Sequence, residues 1–321
     1  MKTPELINII AFSLLNGVGP IFFKKNSSEI SSKILLSKEL HSISKKSDFS
    51  DFEKNQISAL QIIENCEKLN IKIITIFDKD YPNSLLQIKD PPPILYLMGN
   101  HSLLNRAIAI IGTRKSTELG NKIASRVGSF FSENWSICNG LVDGIDRNSI
   151  VTKDTILPNV TGVLSGGLNY ESTCQKVTRD LAQQVLENNG LLITEYEPNK
   201  KEDQFSGSKT SRIQAGLANA LILIQSAKTG GSKYTLKAFS CLERPLAVVD
   251  FSNNSEFRES ETFSANRLII DKGRAGVMEI CEIKKLDAIL ITKILRIGKS
   301  EDYKLIEEEI QASRAASNIG C

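Results

Sequence analysis

The chain has 321 residues, 41% of them hydrophobic and 24% charged, with 20 Gly and 9 Pro. This composition excludes collagen, coiled coil and wholesale disorder, and the length suits one large domain with an appendage or two to three smaller ones. With 40 Lys and Arg against 37 Asp and Glu the net charge is only +3, so any anion site must be local rather than a property of the whole surface.

Six scattered cysteines and two histidines, with no CxxC pair, give no zinc-ligand spacing, so neither a metal site nor a cofactor is expected. No apolar run of about 18 residues occurs and the start lacks a charged-then-apolar leader pattern. The expectation is a cytoplasmic protein with reduced thiols and no membrane partner.

Residues 4–70 read mostly as helices. Pro4-Glu5 opens an apolar periodic run that stops at Asn16-Gly17-Val18-Gly19-Pro20, and Ile21-Phe22-Phe23 supplies a second apolar face. The pattern resembles a helix-hairpin-helix, whose turn offers backbone N–H groups to a phosphate, and fits a plain helical hairpin equally well. Residues 57–69 form an amphipathic pattern. At residue 71 the character changes to a β-branched run, and Pro91-Pro92-Pro93 then forces an extended path into Ile94-Leu95-Tyr96.

From residue 107 onward apolar runs at 107–111, 135–138, 160–164, 191–194, 219–225 and 246–249 read as strands. Residues 116–131, 174–186 and 232–242 between them read as helices. Continuous apolar strands separated by amphipathic helices predict an α/β fold with a doubly wound parallel sheet. The expected organisation is a helical domain over 1–70, the sheet domain over 71–283, and a helical tail over 284–321 that begins with a helix at 286–295.

Ligands of open parallel sheets bind beyond the carboxyl ends of the strands, which directs attention to five loops. Gly112-Thr113-Arg114 ends the first parallel strand and leads into a helix, where the glycine admits a close ligand, the helix start supplies N–H groups and the guanidinium can fork onto a phosphate. Gly140 opens a loop that carries Asp143 and Asp146, the latter a ligand group or a helix cap. Ser165-Gly166 follows another strand, with Lys176 and Arg179 on one face of the next helix. A basic loop, Lys200 to Arg212, holds Lys209, Arg212 and a lone Phe205 able to pack or to stack on a base. The fifth loop, Lys228-Thr229-Gly230-Gly231-Ser232 with Thr235 one turn on, is the best anion cradle in the chain. Neither GxxxxGK[ST] nor GxGxxG is present, so the triphosphatase and dinucleotide fingerprints are excluded.

In their order these segments resemble the DNA-processing protein A family (DprA, also called Smf). The residues that carry the likeness are Ala109-Ile110-Ile111-Gly112-Thr113-Arg114, Asn139-Gly140-Leu141-Val142-Asp143-Gly144-Ile145-Asp146, Arg212-Ile213-Gln214-Ala215-Gly216-Leu217, Gly230-Gly231-Ser232 with Thr235, and Ser264-Ala265-Asn266-Arg267-Leu268-Ile269. The resemblance implies an extended Rossmann-like sheet, a small N-terminal helical domain of helix-hairpin-helix or SAM-like type, and a homodimer. It further implies a non-enzymatic role in binding single-stranded DNA and passing it to the RecA recombinase. Gly112, Thr113, Arg114, Gly140, Ser165, Gly166, Lys176, Lys209, Arg212, Lys228, Gly231, Ser232 and Thr235 are then the expected phosphate-binding residues, gathered on a glycine-floored cationic groove.

Two further readings stay open on the sequence. One is a nucleotide-binding or nucleotide-processing protein related to the Lonely guy phosphoribohydrolases, although residues 229–235 lack their Pro-Gly-Gly-x-Gly-Thr pattern and following Glu. The other is an interaction scaffold that kept the fold and lost the ligand.

Overall fold

The computed structural model describes residues 2–44, 47–153, 155–254 and 256–319. Five helices come first: α1 (Pro4–Ser13), α2 (Pro20–Lys25), α3 (Ser27–Lys33), α4 (Ser37–Ile43) and α5 (Phe49–Lys68). Pro4 sits in the first turn of α1 and Thr3 caps it by accepting from the Leu6 N–H. The apolar stripe of α1 (Ile9, Ile10, Phe12) packs on that of α5 (Phe52, Ala59, Ile63). α2 closes the hairpin, with Phe12 against Phe22 and Phe23 at ring-centroid distances of 6.1 and 5.6 Å.

The remaining elements are β1 (Lys72–Thr75), α6 (Asn83–Leu86), β2 (Ile94–Gly99), β3 (Ala107–Gly112), α7 (Glu118–Ser132), β4 (Ser136–Asn139), α8 (Ile145–Ile150) and the small hairpin β5 (Val151–Thr152) and β6 (Thr155–Ile156). They continue with β7 (Val160–Val163), α9 (Tyr170–Thr173), α10 (Lys176–Glu187), β8 (Leu191–Thr194), α11 (Ser206–Leu217), β9 (Ala218–Gln225), α12 (Ser232–Phe239) and β10 (Leu246–Val249). α13 (Ser264–Lys272), α14 (Arg274–Ile280), β11 (Ile294–Ile297) and α15 (Asp302–Ile319) complete the fold.

A nine-stranded sheet runs in the order β1-β2-β8-β7-β4-β3-β9-β10-β11. All pairings from β8 to β11 are parallel, and β2 joins β8, and β1 joins β2, antiparallel. The continuous apolar runs account for this: β3, β4, β7, β8 and β10 are buried on both faces, which only helices on both sides of a parallel sheet provide. Buried Arg244 ties the lower edge together. Its guanidinium donates to the Gly216 and Ala218 carbonyls at 2.8 and 2.6 Å, closing the C-terminus of α11, and reaches Ser84 O and Gln87 Oε1 beside α6.

Residues 286–295 differ from the sequence reading. Only a single helical turn, Leu286–Ala288, forms there, after which the chain extends into β11, with Ile294 opposite Leu246 of β10. Ile289 and Ile291 are buried while Leu290 is exposed, a period of two that belongs to an extended chain and that the short apolar run conceals from a helical count. α15 then lies across α7, burying Tyr303, Ile306 and Ile310 against Phe130 and Phe131.

Glu307 of α15 accepts from the indole N–H of the buried Trp135 at 3.0 Å and from Asn134 at 3.1 Å. Glu307→Ala strands that buried donor and is expected to lower the unfolding free energy by about 1–2 kcal/mol. Urea unfolding followed by the emission of this single tryptophan and by circular dichroism measures the change.

Candidate functional site

From β3 the chain moves to β4 on one side, whereas β9 pairs with β3 on the other, so a crevice opens between the carboxyl ends of β3 and β9. Gly112 and Gln225 are register partners there, and the Thr113 N–H donates to the Gln225 carbonyl at 2.8 Å. A Cβ on Gly112 would fall 2.3 Å from Ile145 Cγ1, so any other residue displaces α8. Gly144, at φ +81°, presses on the same turn: its Cβ would fall 2.2 Å from the Thr113 carbonyl, and the Ile145 N–H donates to that carbonyl at 3.1 Å.

Above this junction lies a cleft of about 860 Å³ that brings together Gly112, Thr113, Arg114, Gly140, Ser165, Gly231, Ser232 and Thr235 with the start of α11. Arg114 is exposed and, among the described residues, has no ion-pair partner. Its Nη2 lies 3.9 Å from where a Cβ on Gly207 would be, and Ser165 Oγ lies 3.7 Å from the same point, so the guanidinium leans toward the first turn of α11.

Helix N-termini surround the cleft, and their unpaired N–H groups decide where an anion can sit. Thr117 caps α7, accepting from the Gly120 N–H at 3.1 Å. Glu202 accepts from the Gln175 N–H at the head of α10 at 2.8 Å. Asp203 accepts from the Phe205 and Ser206 N–H groups at the head of α11, both at 2.9 Å, and these bonds together with Lys200 hold its carboxyl below the usual range. At α12 no side chain among the described residues caps the first turn, where the Lys233 and Tyr234 N–H groups donate to the Gly230 and Gly231 carbonyls at 3.2 and 3.1 Å. Ser232, in its first turn, is 8% exposed, lines the cleft and has a buried hydroxyl with no hydrogen-bond partner. Two carboxylates of the chain thus sit at the heads of α10 and α11, whereas the head of α12 carries none.

The expected uniformly cationic groove is therefore corrected. Arg114 and Lys115 share the cleft with Asp146, Glu202 and Asp203. The carboxylates are there because each satisfies backbone N–H groups. Asp146 on the floor accepts from the Gly140 N–H at 2.9 Å and is 7% exposed. Burial pushes its carboxyl up to about 7, against the pull of the Gly140 and Val142 N–H groups and of Arg114.

Arg212 does not face the cleft. It makes a bidentate pair with Glu195, both contacts 2.6 Å, and its Nε reaches Asp90 Oδ2 at 3.0 Å, clamping α11 to the end of β8 and to the proline segment before β2. Lys228 is engaged by Glu279 at 2.6 Å outside the lining, and Lys209 and Lys176 are exposed on α11 and α10 without lining it. Gly166 is a packing glycine, its Cβ position lying 3.1 Å from the Thr173 carbonyl and 3.2 Å from that of Lys200. Sequence reasoning also missed lining residues: Gln175, Gly207, Thr210, Gln214 and Tyr234. The spacing of Gly207, Thr210 and Gln214 along α11 is the helical-face signal that marks three of them.

The fold and its cleft define a doubly wound Rossmann-like protein with a polar cleft at the switch point of the sheet. The chain belongs to the DNA recombination-mediator protein A family, whose model matches residues 72–286. It is 30% identical over 181 residues to the DNA processing protein DprA of Bacillus subtilis, covering 56% of this chain and 59% of that protein. It is 26% identical over 214 residues to the Protein Smf of Synechocystis, covering 65% of this chain and 52% of that one, so the matched stretch spans little more than half the length of these curated relatives. The X-ray structure of DNA processing protein A from Streptococcus pneumoniae superposes with a TM-score of 0.68 at 20% identity over 95% of this chain and 98% of that one. DNA processing protein A from Helicobacter pylori, whose structure concerns its single-stranded DNA binding mode, gives a TM-score of 0.53 at 23% identity over 63% and 88%. Both likenesses establish the fold. No helix among the described residues is long and apolar enough to cross a membrane.

Two predictions arise here. Arg212→Ala leaves Glu195, itself largely buried, without its partner and is expected to cost about 3 kcal/mol of stability in urea unfolding. Asp146 binds its proton more tightly folded, at about 7, than the ordinary 3.8, so its contribution to stability is complete below about 4 and is lost as pH rises through 7. Asp146→Asn keeps an acceptor for Gly140 and removes the titration. Between pH 5 and 8 the stability of this variant should rise relative to wild type by more than about 1 kcal/mol, as read from urea midpoints across that range.

Proposed function

We propose that the cleft binds single-stranded DNA through its sugar-phosphate backbone, without sequence preference, and that the protein acts as a non-enzymatic DNA recombination mediator. The observation that carries this reading is the open head of α12 with its unpartnered Ser232 hydroxyl, in the same cleft as the unpaired Arg114. A phosphate there receives N–H and O–H donors from one side and a forked guanidinium from the other. Gly112, Thr113, Gly140, Ser165, Gly231 and Thr235 complete the bed, with the small residues admitting the strand closely. Lys176 and Lys209 supply approach charge around it. Membership of the family, and the single-stranded DNA described for the Helicobacter pylori protein, support the choice of polyanion. Transfer of the strand to RecA and assembly as a homodimer in the cytoplasm complete the proposal.

Fluorescence anisotropy with labelled oligothymidylate across a salt series tests it. Arg114→Ala should weaken binding about tenfold near 0.15 M salt and lower the salt slope by roughly 0.7, the contribution of one single-strand phosphate. Binding that ignores both salt and Arg114 overturns the phosphate-led reading.

A further inference from the structure

Tyr234 lies two residues beyond Ser232 on α12, at a position that the resemblance of the Gly230-Gly231-Ser232 loop leaves unassigned. Leu236 and Phe239 form the buried face of α12, and Tyr234, on the other side of the helix, is 47% exposed and lines the cleft. The Lys233 ammonium lies 5.8 Å from its ring centroid and is itself tethered to Glu282 at 3.3 Å, so a cation holds one face of the ring and a planar ligand has the other. Phe205, 60% exposed, lines the same cleft and precedes by two residues Gly207, toward which Arg114 leans. Exposed rings and candidate phosphate-holding groups thus line one cleft, the pairing of stacking surface and backbone contact that sequence-independent single-strand binding uses.

We infer that Tyr234 is a base-stacking platform and that the cleft takes its strand as consecutive nucleotides, with the bases on either side of the phosphate held between α12 and Arg114. The inference rests on the proposed single-strand reading and deepens it: the ligand class is a phosphodiester with a base on each side, not a free mononucleotide. Stacking is indifferent to base identity, because every base has a π face, and so Tyr234 adds affinity without adding sequence preference.

The experiment compares two ligands of equal length on the full chain, a fluorescein-labelled oligothymidylate 20-mer and the same backbone built from abasic tetrahydrofuran units. Wild type, Tyr234→Ala, Tyr234→Phe and Arg114→Ala are titrated with each. Tyr234→Ala is expected to weaken oligothymidylate binding at least about fivefold while leaving abasic binding within about twofold, and Tyr234→Phe to retain both. Arg114→Ala weakens both ligands alike. If Tyr234→Ala weakens both ligands equally or neither, while Arg114→Ala weakens both, the platform is overturned and the phosphate-led cleft stands. If neither ligand responds to Arg114→Ala, the cleft reading falls and the inference with it.

Discussion

No Cβ fits at residue 112 or at residue 144 without driving into Ile145 or into the Thr113 carbonyl, 2.3 and 2.2 Å away. The close approaches of Ile145 to the backbone at Gly112, and of the Thr113 carbonyl to the backbone at Gly144, are open only to glycine. They weld the turn after β3 to the loop after β4, so the direction in which Arg114 leaves the sheet is set by main-chain geometry rather than by the rotamers of neighbouring side chains. Gln225 completes the junction from β9. Its carbonyl receives the Thr113 N–H and its side-chain oxygen receives both the N–H and the hydroxyl of Thr117, which fixes the start of α7. The cleft inherits its shape from this junction, and the helices that border it are placed by the strands on either side.

Given that frame, the distribution of charge around the rim is decided helix by helix. A helix N-terminus leaves several N–H groups without partners, and the protein answers each one locally: Thr117 for α7, Glu202 for α10 and Asp203 for α11. α12 has no side-chain cap among the described residues, only the bonds of its Lys233 and Tyr234 N–H groups to the Gly230 and Gly231 carbonyls, and its Ser232 hydroxyl is buried without a partner. An unsatisfied buried hydroxyl costs about 1–3 kcal/mol, a cost relieved when a ligand supplies an acceptor. The same accounting explains how acidic residues come to line a site read as anion-binding. Glu202 and Asp203 accept from the N–H groups at the heads of α10 and α11, while Asp146 has its carboxyl pushed up to about 7 by burial.

Much of this was legible in the sequence, and the parts that were not share a physical cause. The apolar runs at 107–111, 191–194 and 246–249 located strands because burial on both faces writes itself into consecutive residues, and the rule that ligands sit beyond strand ends then pointed to Gly112, Gly140 and Gly231. What sequence could not separate was Arg114 from Arg212. Both are arginines beside Gly- and Ser-rich stretches, yet one is unpaired in the cleft and the other is clamped by Glu195 and Asp90, the latter 122 residues away along the chain. Partners at that separation are invisible to local pattern. β11 escaped for a related reason: its strand character comes from pairing with β10, not from an apolar run long enough to declare a period.

The near-neutral composition is consistent with a polyanion as ligand once donors are distinguished from charge. Net positive potential draws any anion and is dispersed by salt, whereas N–H groups at a helix head, a hydroxyl and a forked guanidinium recognise oxygen atoms at defined positions. A cleft built on the second principle needs few cations, and those few must be free of internal partners. Arg114 meets that condition among the described residues, and Lys228, Lys233 and Arg212 do not, each being paired with a carboxylate of its own chain. On the proposed reading such a site gains discrimination from geometry where a basic groove would gain only attraction, and the exposed rings of Phe205 and Tyr234 line the same cleft. In that reading hydrogen-bond donors to phosphate and ring surfaces for bases draw on different forces, and both are carried by elements that the junction of β3, β4 and β9 places.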